Sequence, residues 1–251
     1  MMRRAKLCAW GLGLLALTAA PALAEDFVVV ESSTPTIAAG AQIASGSAVT
    51  VPDKARVVLL AASGQIVTLN GPFQGVPAAT GGAGGDSRLL TAVASLVHAN
   101  TQESGSVGAV RAADVQWRAA TIKAPHDVFA IDASDGGDAC LDDPEHAMLT
   151  RNPSDPAGSM TIHAMDGDAT AKVEWPASTA RMPWPKELKL ADGATYVIEP
   201  PGQASAAMTT VHLLPAAPAQ SDIERVKQLT DAGCTDQAKL LLGVIIKAAQ
   251  K

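Results

Sequence analysis

Phe27-Val28-Val29-Val30, Ala48-Val49-Thr50-Val51, Ala55-Arg56-Val57-Val58-Leu59-Leu60 and Gln65-Ile66-Val67-Thr68-Leu69 are the runs that decide the fold class. Each is rich in β-branched side chains and too short for an ordinary helix. Gly40, Gly46, Pro52-Asp53 and Ser63-Gly64 fall between them, and these are the residue types that turns require. The segment 25–72 therefore reads as short strands in a small roll or meander. A unit of about fifty residues has a thin core, so it is expected to pack on something else.

Working outward, residues 73–86 are mostly Gly, Ala and Pro, notably Gly81-Gly82-Ala83-Gly84-Gly85, and read as a flexible linker. A phosphate-cradling loop would need a Gly-Lys-Ser/Thr continuation, and none follows. Residues 87–123 read as a helix and connector. Leu89, Leu90, Val93, Leu96 and Val97 share one helical face over 87–100, with Asp86 or Ser87 as cap. The connector 102–123 reads as ambiguous, with Trp117 as its one large anchor.

A second β region spans 124–214, with candidate strands at Asp127–Ile131, Ala147–Thr150, Ser159–Ala164, Ala169–Trp175, Ala194–Ile198 and Thr209–Leu214. Their spacing and their Asp/Gly/Pro turns suggest a small sandwich-like domain. Trp-Pro occurs twice, at Trp175-Pro176 and Trp184-Pro185, where proline favours a strand end or edge. The segment 215–251 reads as an αα-hairpin. Ser221-Asp222-Ile223-Glu224 has capping-box spacing, and Ile223, Val226 and Leu229 form its stripe. Gly233 closes that helix. Thr235 is expected to cap the second, which buries Leu240, Leu241, Val244, Ile245 and Ala248. The expected class is mainly β with α.

The N-terminus has secretory order: Arg3, Arg4 and Lys6, then an apolar run from Leu7 to Ala20, then Pro21 and the small-residue site Ala22-Leu23-Ala24. Residues 1–24 are expected to be a cleaved signal peptide, since the apolar run is shorter than a membrane span of about 20 residues. The alternative is a retained N-terminal anchor. Cleavage removes three of 19 basic residues and no acid, leaving 16 against 25 and a net charge near −9. Such a surface repels phosphate backbones and anionic headgroups, so neither nucleic acid nor a membrane surface is an expected partner. No membrane span is expected after cleavage.

Cys8 leaves with the signal, and Cys140 and Cys234 remain. In an oxidising compartment an even pair is most simply a disulfide, here between the second β region and the hairpin elbow. A two-cysteine metal or redox site is the alternative, and the close Cys-x-x-Cys spacing it favours is missing.

The stretch from Gly46 to Leu60, followed by Ser63-Gly64-Gln65-Ile66-Val67-Thr68-Leu69-Asn70-Gly71-Pro72, resembles the periplasmic FecR-type domain. That family repeats a small turn, an apolar strand, a Gly-containing turn and a second apolar strand. The resemblance implies a β-rich periplasmic module over about residues 26–72, in some members passing signals to a membrane partner. The cytoplasmic segment and membrane helix of signalling members have no counterpart before it. The remainder resembles uncharacterised secreted proteins of Gram-negative bacteria.

Chemistry-bearing patterns are sparse. His98, His126, His146, His163 and His212 include no i, i+4 pair of the helical zinc motif. Gly-x-Ser-x-Gly and Ser-x-x-Lys are absent. The densest cluster is acidic: Asp132, Asp135, Asp138, Asp142, Asp143 and Glu145, interrupted by Gly136-Gly137. Carboxylates on a flexible loop suit calcium, although Gly136 stands where an EF-hand would place its third ligand. Trp175 and Trp184 offer a contact surface if exposed, and otherwise fill the edge of a small core. These features imply a non-enzymatic accessory or protein-interaction module of the cell envelope, with an envelope protein as partner and no cofactor. The rival is an envelope hydrolase or calcium-dependent binding protein using the 132–145 loop.

Overall fold

A computed structural model describes residues 25–79, 86–103, 125–215 and 221–249. The expected signal peptide and Trp117 lie outside the described residues. The chain is mainly β, with three α-helices in the described residues.

The apolar runs of the opening segment form a four-stranded sheet. Phe27–Ser32 (β1) and Arg56–Ala61 (β4) are its centre, with Gln42–Ile43 (β2) beyond β1 and Ile66–Asn70 (β5) beyond β4. All pairings in this sheet are antiparallel. The two central strands read as unbroken apolar runs because both faces of the sheet are covered. Val28, Val30, Val58 and Leu60 point into a core shared with the helix Ser87–Glu103 (α1). Phe27, Val29, Val57, Leu59 and Ala61 point the other way, onto Val49–Val51 (β3) and Phe73–Gly75 (β6).

Two expectations change here. β3 does not continue a meander into β4; it pairs with β6, so that Val49 and Val51 bury against the sheet's second face. Nor is 73–86 wholly a linker, since Phe73–Gly75 is that partner strand, while residues 80–85 lie outside the described residues. Gly71 sits where the chain folds back over β3: a Cβ there would lie 1.6 Å from the carbonyl oxygen of Pro52. Gly71→Ala is expected to lower the unfolding free energy by about 3 kcal/mol, read by urea titration.

The second region supplies two sheets. Thr170–Trp175 (β11), Gly158–Ala164 (β10), Thr195–Glu199 (β13), Ala207–Leu213 (β14) and Gly137–Leu141 (β8) lie in the order β11-β10-β13-β14-β8. The β14–β8 pair is parallel and the others antiparallel. Arg181–Pro183 (β12), Met148–Thr150 (β9) and Ala130–Asp132 (β7) form a three-stranded sheet in the order β12-β9-β7. Ile131 and Leu149 from the smaller sheet pack in one cluster with Met160, Ile162, Ile198 and Val211 from the larger. β8 and β12 were not anticipated from sequence. The expected strand at Asp127–Ile131 is instead a 3-10 turn at Pro125–Val128 followed by β7.

The C-terminal pair is Asp222–Asp231 (α2) and Thr235–Ala249 (α3). Ser221 Oγ accepts from the Glu224 N–H at 3.3 Å, as the capping pattern required, and Asp86 Oδ1 accepts from the Arg88 N–H at the start of α1. Gly233 takes a left-handed φ of 86° and closes α2. Thr235 does not act as a side-chain acceptor cap; its Oγ1 donates to the Gly233 carbonyl. Leu241 is buried as expected and Leu240 and Ile245 pack partly buried against the core, whereas Ala248 is exposed and Gln237, Ala238 and Leu242 are buried as well.

These helices decide how the parts are joined. Val226, Leu229, Ala238 and Leu241 lie in the same core as Val28 and Val58 of the first sheet, Leu90 and Val93 of α1, and Cys140 of β8. The helical layer therefore packs on both β regions at once.

Candidate functional site

β8 is where the acidic stretch, the cysteine and the helical hairpin meet. Along a strand successive side chains alternate. Ala139 and Leu141 enter the core of the second β region, whereas Cys140 enters the core shared with the helices. Cys140 is disulfide-bonded to Cys234 in the α2–α3 elbow, 94 residues away, with the Cα atoms 5.9 Å apart.

An uncharged buried side chain completes the junction. Gln237 Oε1 accepts the Cys140 N–H at 2.7 Å, and its Nε2 donates to the carbonyls of Cys140 at 3.1 Å and Val128 at 2.9 Å. β8 is an outer strand of its sheet, so its free backbone groups would otherwise be buried unpaired beneath the hairpin. The amide supplies the donor and the acceptor that a neighbouring strand would supply. Sequence reasoning passed over Gln237; its signal was a polar residue three after Cys234 and four before Leu241, on the buried stripe. At the rim, Arg225 reaches Asp142 at 3.1 Å and lies 5.5 Å from the centre of the Phe129 ring.

The acidic cluster is not one loop. Gly137–Leu141 within it is β8, and its carboxylates go to separate partners. Asp132 accepts the N–H groups of Ser134 and Asp135 in the turn after β7. Asp138 meets His212 Nε2 at 2.8 Å, Asp142 meets Arg225, and Asp143 accepts the Glu145 N–H and meets His146 Nδ1 at 2.7 Å. Among the described residues, no group of three or more His, Cys, Asp or Glu side chains is arranged to hold a metal ion.

Asp143 is held below the usual carboxylate range, chiefly by its hydrogen bond to His146. A depressed folded-state value contributes stability above the unfolded value, lost as pH falls through the folded one. His146→Ala is expected to move the Asp143 titration back upward, read by carboxyl-carbon NMR, with little change in melting temperature because the group is exposed.

The tryptophans do not form a contact surface. Trp175 is 1% exposed and Trp184 7%. They use one device twice: each indole N–H donates to the carbonyl four residues on, Trp175 to Thr179 at 2.8 Å and Trp184 to Leu188 at 2.7 Å. The Trp-Pro repeat is thus a way of turning the chain while satisfying a buried indole. Arg151, buried without a carboxylate at hydrogen-bond distance among the described residues, lies 4.8 Å from the Trp175 ring centre and donates to the carbonyls of Pro156 and Pro176. Burial lowers its pKa from the ordinary arginine value.

The outward face of the five-stranded sheet carries the remaining polar chemistry. His163 Nδ1 lies 3.0 Å from Thr170 Oγ1, its directly opposite cross-strand partner, and its Nε2 is 3.8 Å from Glu199. The hydroxyl, imidazole and carboxylate are the types of a hydrolytic triad, but the last distance exceeds a hydrogen bond and His163 and Glu199 are 43% and 57% exposed. They are cross-strand pairs on a wet surface. Nearby, Thr195 and Thr210 pair at 3.2 Å, and Met208 stands opposite Val197, 57% exposed. Met165, 59% exposed, is held at the end of β10 by its N–H bond to the Thr195 carbonyl. Comparison with family models, curated proteins and solved structures found no match to this chain.

Proposed function

We propose that this chain is a non-enzymatic accessory module of the Gram-negative cell envelope, exported by residues 1–24, that binds an envelope protein through the outward face of its five-stranded sheet. The carrying observation is that face: Met165 and Met208, two of the three large hydrophobic side chains exposed among the described residues, stand beside Val197 and the Thr195–Thr210 pair. Exposed thioethers beside β-branched side chains form an adaptable apolar surface, and polar neighbours keep it soluble until it is covered.

Supporting the compartment is the Cys140–Cys234 bond, which suits an oxidising space. Among the described residues no helix is long and apolar enough to cross a membrane. The FecR-like character of 26–72, its reading as a roll and the sandwich-like reading of 124–214 belong to this same proposal. The hydrolase or calcium-dependent alternative gains no support from the acidic stretch, four of whose carboxylates serve separate partners.

The test is a photo-crosslinking amino acid placed at Met208 and, as a control, at the exposed Lys186, in the full chain expressed in a Gram-negative host. One envelope protein captured at Met208 and not at Lys186 is expected. Equal capture at both positions, or none at Met208, contradicts the proposal.

A further inference from the structure

Among the described residues the sheet edges are blunted, with one exception. An uncovered edge strand offers unpaired N–H and C=O groups to any other chain, and proteins guard against this with short strands, charges, proline or a covering group. β8 is covered by Gln237. β11 carries exposed Lys172 and Glu174 and ends at Pro176; β12 holds Arg181 and Pro183. β2, β3, β6 and β7 are two or three residues long.

Among the described residues β5 has none of these devices. Its five residues, Ile-Val-Thr-Leu-Asn, include no charge and no proline. The bonds Ala61 N–H to Gln65 C=O and Gly71 N–H to Ala55 C=O set the ladder phase, so Val67 and Leu69 bond to β4. The N–H and C=O groups of Ile66, Thr68 and Asn70 therefore point away from the sheet. Among the described residues nothing bonds them.

We infer that β5 is a strand-addition interface and that its partner is β5 of a second copy of this chain. The edge is self-complementary about a two-fold axis through Thr68. Antiparallel pairing sets Thr68 against Thr68 and Ile66 against Asn70, so each open N–H meets an open C=O. No side chain in the strand is charged, so the axis brings no like charges together. The two four-stranded sheets become one continuous sheet, and the half-buried Ile66 and Val67 continue its apolar faces across the joint. This surface is separate from the five-stranded face and does not depend on the envelope reading.

The experiment is sedimentation equilibrium on the purified product of the full chain, with amide exchange measured at low and high protein concentration. A dimer is expected, in which the amides of Ile66, Thr68 and Asn70 exchange about tenfold or more slowly at high concentration. Thr68→Pro removes only an outward N–H, which β5 does not use within its own sheet, and is expected to give a monomer whose β4 and β5 ladder amides remain protected. A wild-type chain that stays monomeric to its solubility limit overturns the inference. So does a dimer that persists in Thr68→Pro or leaves these three amides unprotected, and so does a monomer whose edge is taken by a different protein.

Discussion

Replacing Cys140 and Cys234 together by alanine is expected to lower the unfolding free energy by about 4–5 kcal/mol, the loop-closure value for a crosslink of this span. The bond joins residues 94 apart, so without it the unfolded chain regains the freedom of a long loop. Alanine is the right replacement because both sulfurs are fully buried, and a serine hydroxyl would add a desolvation cost of its own. Small proteins have total stabilities of roughly 5–15 kcal/mol, so this loss removes between about a third and nearly all of it. Urea titration of the oxidised wild type against the double variant measures the difference. A loss below about 1 kcal/mol would show that packing alone holds the hairpin on β8.

Gln237→Leu is the second large effect. Leucine nearly conserves volume but can neither accept from the Cys140 N–H nor donate to the carbonyls of Cys140 and Val128. A buried backbone group left unpaired costs about 1–3 kcal/mol, so three of them predict a loss on the order of 3–9 kcal/mol. The same variant is expected to speed amide exchange at Cys140, which a mere packing defect elsewhere in the helix would leave unchanged. Little loss of stability would mean that water enters and satisfies the strand edge.

The parts of the fold that were legible from sequence are those governed by local rules. The stripes Leu89–Val97 and Ile223–Leu229, the Ser221 cap and the Gly233 terminus all depend on residues within a turn or two, and each appears in the structure. Most strands of both β regions were legible because β-branched runs between turn residues have few other uses. The cysteine pair followed from the count and from the compartment the N-terminus led one to expect. What escaped was set by distant partners. β8 looked like loop because Gly136-Gly137 and its acids disfavour a strand, and only pairing with β14 makes it one. Gly136 turns with a left-handed φ of 70°, leaving no room for a side chain against the Met208 backbone, which is why glycine stands there. β6 was hidden because Phe73 is its sole large side chain and its value lies in packing on β3.

The candidate sites show the same division. The acidic residues were found as a cluster in sequence, yet alternation along β8 and the turns flanking it send them to His212, Arg225, His146 and local N–H groups. The Trp-Pro repeat was visible, but its meaning lay in carbonyls four residues on. Gln237 and the outward sheet face emerge only when the strand order is known, because both depend on which strand lies at an edge and which face is left uncovered.

The central structural claim is that the helical layer, fastened at Cys140, Cys234 and Gln237, makes the two β regions one cooperative unit. Differential scanning calorimetry of the oxidised protein tests this most directly. One transition is expected, with calorimetric and van't Hoff enthalpies that agree. Two resolved transitions, one belonging to the segment around β1 and β4 and the other to the segment around β10 and β13, would contradict it.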